Sequence, residues 1–154
     1  MGVATATSLT FSPTTGGIVG TTTNNNTTAG DVGEFVSSVI PLASAVSAAN
    51  GTWINVTSIS LTAGDWDVWG NVTISNNSTG LTAGSAWTSI VSATQPDISL
   101  ISFISVITAS TLGQNAPNLR YSLASTTTIF LSAEAFFSAG TSTACGGIYA
   151  RRRR

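Results

Sequence analysis

Alternating apolar and polar positions between residues 56 and 75 give the clearest structural signal in the chain. Two runs, 56–61 and 65–75, are joined by a short polar link at residues 62–64 that contains a glycine. The apolar side chains that alternate in the second run are Trp66, Val68, Val72 and Ile74. A period of two marks a strand with one buried face. The pattern therefore predicts two strands joined as a hairpin of an antiparallel sheet.

Trp69 is the exception to this alternation, because it stands among the polar positions of the second run. Two interpretations remain open at this point. Its indole packs under a neighbouring loop, or it reaches a partner chain.

The same kind of pattern predicts strands along most of the chain from residue 31 onward. The predicted strands are 34–40, 43–48, 53–61, 65–75, 86–93, 100–107, 118–125, 126–137 and 145–151, with polar loops at 76–84 and 113–117. The apolar phase shifts by one residue within 53–61, which predicts a β-bulge. Short strands with turn signals between them and no convincing helix indicate an all-β protein, an antiparallel β-sandwich or jelly roll of about eight strands.

Residues 1–30 form a separate Thr-, Gly- and Asn-rich arm in this interpretation, followed by a single domain at 31–154. The arm has little apolar surface to bury, so we expect it to be loose or held against a neighbour. Ile18 and Val19, which glycines bracket, are its predicted anchor points.

The strand predicted at 126–137 is apolar on both faces. One face carries Ile129, Leu131, Ala133, Ala135 and Phe137. The opposite face carries Phe130 and Phe136 beside Ser132 and Glu134. A strand that is apolar on both faces is covered on both sides, so Phe130 and Phe136 are predicted to contact another subunit.

Charge is scarce, at 7% of residues against about 25% in typical soluble proteins. Low charge removes repulsion between copies and favours a subunit that functions inside an assembly. Four of the five basic residues are Arg151, Arg152, Arg153 and Arg154. We predict that they pair with an acidic patch of a neighbouring subunit. Contact with nucleic-acid phosphates is the weaker alternative, since Arg120 alone supports it.

The sequence offers little for catalysis. The chain has no histidine, which excludes Ser-His-Asp and Cys-His centres, and Cys145 is its single cysteine. Asp65 and Asp67 share a strand face, but solvated carboxylates explain them better than an acid pair or a Ca²⁺ site. We therefore expect no enzymatic activity, cofactor or metal. No apolar run is long enough to span a bilayer, so no membrane partner is expected either.

The four tryptophans, Trp53, Trp66, Trp69 and Trp87, could form a platform for sugar rings, although core positions account for most of them. Trp69 together with Asn76 and Asn77, at the start of the 76–84 loop, is the possible ligand contact.

Several stretches resemble a group of small structural proteins of tailed bacteriophages and prophages. They are TTGGIVGTTTNNNTTAGDVGEFV, VTSISLTAGDWDVWGNV, LASTTTIFLSAEAFFS and GGIYARRRR. The resemblance covers most of the chain from about residue 14. It implies a jelly-roll-like β-sandwich displayed on the virion as a homotrimer, and it implies no catalytic residue.

Within that resemblance, the first hypothesis is a capsid decoration or cementing protein that bridges subunits of the major capsid protein. It would act in the virion after assembly in the bacterial cytoplasm. The short arm and the scarcity of charge favour this decoration role, in which a compact domain binds directly to the capsid. The alternative is a fibre-tip or receptor-binding module that recognises a host surface glycan.

Overall fold

The computed structural model describes residues 23–154, apart from the side chains of Val106 and Ile107. Within that part of the chain there are nine strands and two short 3₁₀ turns. The strands are β1 (Phe35–Ile40), β2 (Val46–Ala48), β3 (Trp53–Leu61), β4 (Gly64–Asn76), β5 (Leu81–Ser89), β6 (Ile101–Ala109), β7 (Thr111–Leu123), β8 (Thr127–Phe137) and β9 (Ser142–Arg152). The turns are Leu42–Ser44 and Ile98–Leu100.

The strands form two sheets, and every paired strand runs antiparallel to its partner. Sheet A has the order β1-β9-β4-β7, with β2 also paired to β9, and sheet B has the order β3-β8-β5-β6. Because β1 and β2 pair with successive parts of β9, they act as one interrupted strand. The chain crosses between the sheets at most connections. A five-stranded and a four-stranded sheet linked in this way form a jelly-roll-like β-sandwich, so the predicted fold class is confirmed.

The predicted hairpin at the centre of the chain is wrong. β3 lies in sheet B and β4 in sheet A, so the link at residues 62 and 63 passes from one sheet to the other. Both strands present apolar side chains to the same core from opposite sides. Alternation along a strand identifies its buried face, but it does not identify the strand's partner.

The core lies between the sheets and confirms the predicted buried faces of β4 and β8. Fully buried side chains include Trp66, Val68, Val72 and Ile74 from β4, and Ile129, Leu131, Ala133 and Ala135 from β8. Gly70 belongs to the same face of β4, where a Cβ atom would lie 2.8 Å from Leu131 Cδ1. The missing side chain therefore allows the leucine to pack directly on the β4 backbone.

Strand boundaries differ from the prediction in several places, and the largest differences are in β5 and β7. The predicted loop 113–117 lies inside β7, and the register with β4 shifts between Val68 and Gly70, opposite Pro117. A bulge accommodates a proline, which cannot donate to the ladder. β5 begins at Leu81, inside the predicted 76–84 loop, and it ends at Ser89. The bulge predicted in β3 is confirmed between Asn55 and Thr57.

Candidate interaction surfaces

The terminal arginines are mostly paired within the chain. Arg152, at the end of β9, is 4% exposed, and its Nε donates to Glu34 Oε2 at 2.9 Å. Its Nη1 donates to the Ala63 carbonyl at 2.9 Å, and its Nη2 donates to the Thr62 hydroxyl. The guanidinium carbon lies 4.3 Å from the centroid of the Trp66 ring. Arg152 therefore ties the end of β9 to the β3–β4 link and to the chain just before β1.

Asp65 is held by two arginines. Arg120 donates to both carboxylate oxygens at 2.7 Å, and Arg154 Nε lies 2.9 Å from Oδ2. The bond from Arg120 is the largest influence, and together the two arginines lower the pKa of Asp65 although its burial opposes them. Arg153 Nε lies 3.3 Å from Asp67 Oδ2. Asp65 is thus a buried, paired carboxylate and not the solvated group expected from the sequence.

These pairs give three of the four arginines of the tail an acidic partner that was not predicted from the sequence. The acids that neutralise Arg152, Arg153 and Arg154 belong to the same chain. Arg151 is exposed and makes no ion pair within the described residues. Contact of the arginine tail with another subunit remains a prediction, and Arg151, Arg153 and Arg154 are the members that are exposed for it.

The pKa of Glu34 reflects its buried ion pair. Burial acts to raise the pKa of this carboxyl group, but the Gly30 amide, which donates to it at 2.8 Å, and Arg152 outweigh that effect. The pKa of Glu34 is therefore below its ordinary value. The ion pair is charged at neutral pH.

The outer face of sheet B carries Phe130 and Phe136, and both are half-buried. Glu134 lies between them on β8, level with Trp53 of β3 and Ser85 of β5. Burial raises the pKa of Glu134, and the polar groups of Trp53 and Ser85 oppose that shift in part. That this face contacts another subunit remains a prediction.

Trp87 is fully buried although it does not belong to the central core. It lies on the outer face of sheet B, where the connection between β5 and β6, residues 90–100, folds over it. Its Nε1 donates to the Thr94 carbonyl at 2.9 Å. Asn55 holds the same connection from β3, since its amide donates to Ser92 Oγ at 2.7 Å and accepts from the Ala93 amide at 2.8 Å. Two anchors therefore fix this loop to the sheet.

That loop and the edge strand β6 expose several apolar side chains along the free edge of sheet B. We name this group the apolar edge, and it consists of Ile90, Val91, Ile98, Leu100, Phe103 and Ile104. Ile98 is 78% exposed and Phe103 is 56% exposed. Since β6 is the last strand in the order of sheet B, its far side has no paired strand among the described residues. The sequence did not single out this surface, because its members belong to two different elements.

The outer face of sheet A carries three aromatic rings from neighbouring strands. Trp69 of β4 and Tyr149 of β9 are stacked with centroids 6.0 Å apart, and Phe35 of β1 lies 6.3 Å from Tyr149. Trp69 is half-buried. It packs on aromatic rings of its own chain, which neither of the two interpretations of the sequence anticipated.

Beside these rings is a shallow depression of about 730 Å³. We name it the sheet A depression, and its lining residues are Trp69, Gly70, Asn71, Asn115, Ala116, Asn118 and Tyr149. Its side chains are aromatic rings, exposed amides and one alanine, without a charged group. A Cβ atom at Gly147 would lie 2.5 Å from the Tyr149 hydroxyl, so the tyrosine ring lies across this glycine.

Asn76 and Asn77 lie far from Trp69 and have structural partners. Asn76 is buried and donates to the Ala139 carbonyl at 3.1 Å and to Ser142 Oγ at 2.8 Å. Asn77 accepts from the Thr141 amide at 2.9 Å. Seven residues along β4 separate Asn76 from Trp69, which is about 23 Å at 3.3 Å per residue. The structure therefore does not bring the predicted ligand contacts into one site.

The remaining candidates give no chemical centre in the described part of the chain. Residues 23–154 contain no group of three or more acidic, histidine or cysteine side chains placed to hold a metal ion. None of their helical segments is long and apolar enough to cross a membrane. The predicted anchors Ile18 and Val19 lie outside the described residues.

No family model matches the sequence, and no curated protein matches it. Among solved structures, the chain is similar to the structure of the Gx strain of infectious bursal disease virus, with 16% identity and a TM-score of 0.47 over 80% of this chain and 33% of that one. T=1 particles derived from that virus give 16% identity and a TM-score of 0.44, over 79% of this chain and 29% of that one. The VP2 subviral particle of the virus gives 15% identity and a TM-score of 0.42, over 79% of this chain and 30% of that one. The chain thus spans about a third of the length of these proteins. Sequence identity and TM-scores this low do not carry a function from them to this chain.

Proposed function

We propose that this protein is a non-enzymatic structural component of a bacteriophage virion, and specifically a capsid decoration protein that bridges subunits of the shell. The single observation that carries the proposal is the apolar edge. Ile98 and Phe103 expose most of their side chains on a chain that has few charges to keep copies apart. Apolar groups exposed together on a soluble protein mark an interaction site. The resemblance of the sequence to tailed-phage structural proteins supports the same role.

The mechanism we propose is repeated burial. Removal of apolar surface from water stabilises a contact by about 25 cal/mol per Å². Contacts of about 800 Å² per partner, made at many positions on a shell, resist internal pressure together even when each contact is modest. The proposal includes self-association, with a homotrimer as the expected state, and contact with the major capsid protein. The protein would assemble into virions in the cytoplasm of the bacterial host.

The test combines localisation with a change of the apolar edge. Cryo-electron microscopy of virions should place the chain over the capsid lattice. The variant Ile98→Asp/Phe103→Asp should fold but fail to join particles, because burial of two added charges opposes the contact. Leu42→Asp, which changes a similarly exposed side chain in the turn between β1 and β2, is the matched control and should be incorporated normally. Equal incorporation of all three proteins, or density at a tail fibre, would rule out the decoration role.

A second candidate function is a fibre-tip or receptor-binding module that recognises a host surface glycan. The sheet A depression favours it, because partly exposed aromatic rings and exposed amides are the groups that contact sugars. This function predicts density at the end of a projecting fibre instead of the capsid lattice.

A further inference from the structure

We infer that the sheet A depression binds a neutral saccharide, with the apolar face of a pyranose ring stacked on Trp69 or Tyr149. The inference rests on the receptor-binding alternative for its biological role, whereas the binding itself is a property of the isolated protein. The depression lies on the sheet opposite the apolar edge, so one surface can dock while the other is displayed.

The aromatic side of the depression fits a sugar ring. A pyranose presents a face of C–H groups that packs on the electron-rich face of an indole or phenol ring. Trp69 and Tyr149 are inclined by only 22° to one another, so they offer two nearly parallel surfaces on adjacent strands. Such a pair accommodates two consecutive rings of an oligosaccharide better than one compact ligand.

The polar side of the depression fits hydroxyl groups. Asn71 and Asn115 face each other across β4 and β7, and Asn118 lies beyond the bulge. None of these three exposed amides makes a side-chain hydrogen bond within the described residues. Each amide can donate two hydrogen bonds and accept others, which matches the mixed donor and acceptor character of vicinal hydroxyls.

The charge distribution selects a neutral sugar. No charged side chain lines the depression. The nearest charges on the same face are Arg120 and Arg153, which are paired with Asp65 and Asp67, and Arg151, which is exposed two residues from Tyr149 but does not line the depression. A sialic acid or a sulfated sugar would find no cation among the residues that line the depression, whereas a neutral hexose needs none.

The site is also held in shape before a ligand arrives. Its amides and rings belong to three paired strands, and Tyr149 lies across Gly147 in the only space that a Cβ would occupy. A prearranged site loses less conformational entropy on binding. Because the depression is shallow and contacts one face of the ligand, we expect dissociation constants of about 1 mM for a monosaccharide.

The test uses saturation-transfer NMR on the full chain with methyl glycosides of glucose, galactose, mannose and N-acetylglucosamine, and with lactose and sialyllactose. At least one neutral sugar should bind, and sialyllactose should bind no more tightly than lactose. Trp69→Ala should weaken binding about tenfold or more, which corresponds to the loss of one stacked ring. Trp53→Ala is the matched control, since it removes another partly exposed indole on the opposite sheet, and it should change affinity less than about twofold.

A second variant guards against misfolding of the first. Asn115→Ala removes one exposed amide and should weaken binding several-fold without loss of the folded state, as judged by circular dichroism. The inference is overturned if no neutral sugar gives saturation transfer, if Trp69→Ala binds like the wild type, or if sialyllactose binds more tightly than lactose. None of these results bears on virion location, so the decoration role is decided separately.

Discussion

Replacement of Arg152 by alanine should destabilise the protein severely. The side chain is 4% exposed and makes bonds to Glu34, Ala63 and Thr62. Its loss leaves the Glu34 carboxylate buried without its cation and the Ala63 carbonyl without its donor. Removal of one partner from a buried ion pair costs about 3–5 kcal/mol. For a chain of this size each kcal/mol lowers Tm by about 2–4 °C, so we expect a fall of about 6–20 °C.

The assay is thermal unfolding followed by circular dichroism, with Arg154→Ala as the control. Arg154 also pairs with a carboxylate, but its side chain is 76% exposed. An exposed pair contributes about 1 kcal/mol or less, so this control should lose a few degrees at most. The double variant Arg152→Ala/Glu34→Gln should recover part of the loss, because it leaves no buried charge without a partner.

The same comparison has a defined pH dependence. The pKa of Glu34 lies below its ordinary value of 4.5, so the ion pair contributes stability at neutral pH. That contribution is lost as the pH falls through the folded-state pKa. Equal Tm values for Arg152→Ala and Arg154→Ala at pH 7 would refute the claim that the buried Arg152–Glu34 pair stabilises the fold more than the exposed Arg154–Asp65 pair.

Three further predictions follow from local geometry. Glu134→Gln should raise Tm at pH 7, because burial raises the pKa of this carboxyl group and disfavours its charged form. The gain in Tm should vanish below pH 4.5, the ordinary pKa of a glutamate, and thermal unfolding at several pH values would show this. Gly146→Ala should lower the free energy of unfolding in urea by at least about 2 kcal/mol, since the φ of Gly146 is +151° and a Cβ would lie 2.0 Å from a β4 carbonyl oxygen. Gly113→Ala is the control and should be nearly neutral, because a Cβ there meets nothing within 4 Å. Asn55→Ala should speed amide hydrogen exchange at residues 92–94 and cost about 1–3 kcal/mol, and unchanged exchange there would contradict its anchoring role.

Much of the fold could be predicted from alternation. The inner faces of β4 and β8 are the ones that the apolar positions indicated, and the phase shift in β3 is a bulge. Partner choice could not be predicted, since it depends on contacts between distant residues. The link at residues 62–64 has the composition of a hairpin turn, yet it joins two sheets, because both strands bury apolar faces against one core.

The candidate surfaces were harder to predict for the same reason. Core positions were expected for most tryptophans, but only the folded connection at 90–100 explains the burial of Trp87 on an outer face. Asp65 and Arg120 both occupy outward positions of their strands, but their ion pair requires β4 and β7 to be neighbours. The position of Trp69 on a polar face was visible from the sequence, whereas its stacking on Tyr149 needed the register of β9.

The place of β9 in sheet A governs when the protein can fold during synthesis. β9 is the last of the described strands to be made, yet it lies between β4 and the pair β1 and β2, which have no other partner in their sheet. Contacts between residues so distant in the chain form slowly, and unpaired strands are prone to aggregate while they wait. A nascent chain that has not reached Ser142 therefore lacks the strand that joins β4 to β1 and β2. Those first two strands remain free to pair with other chains.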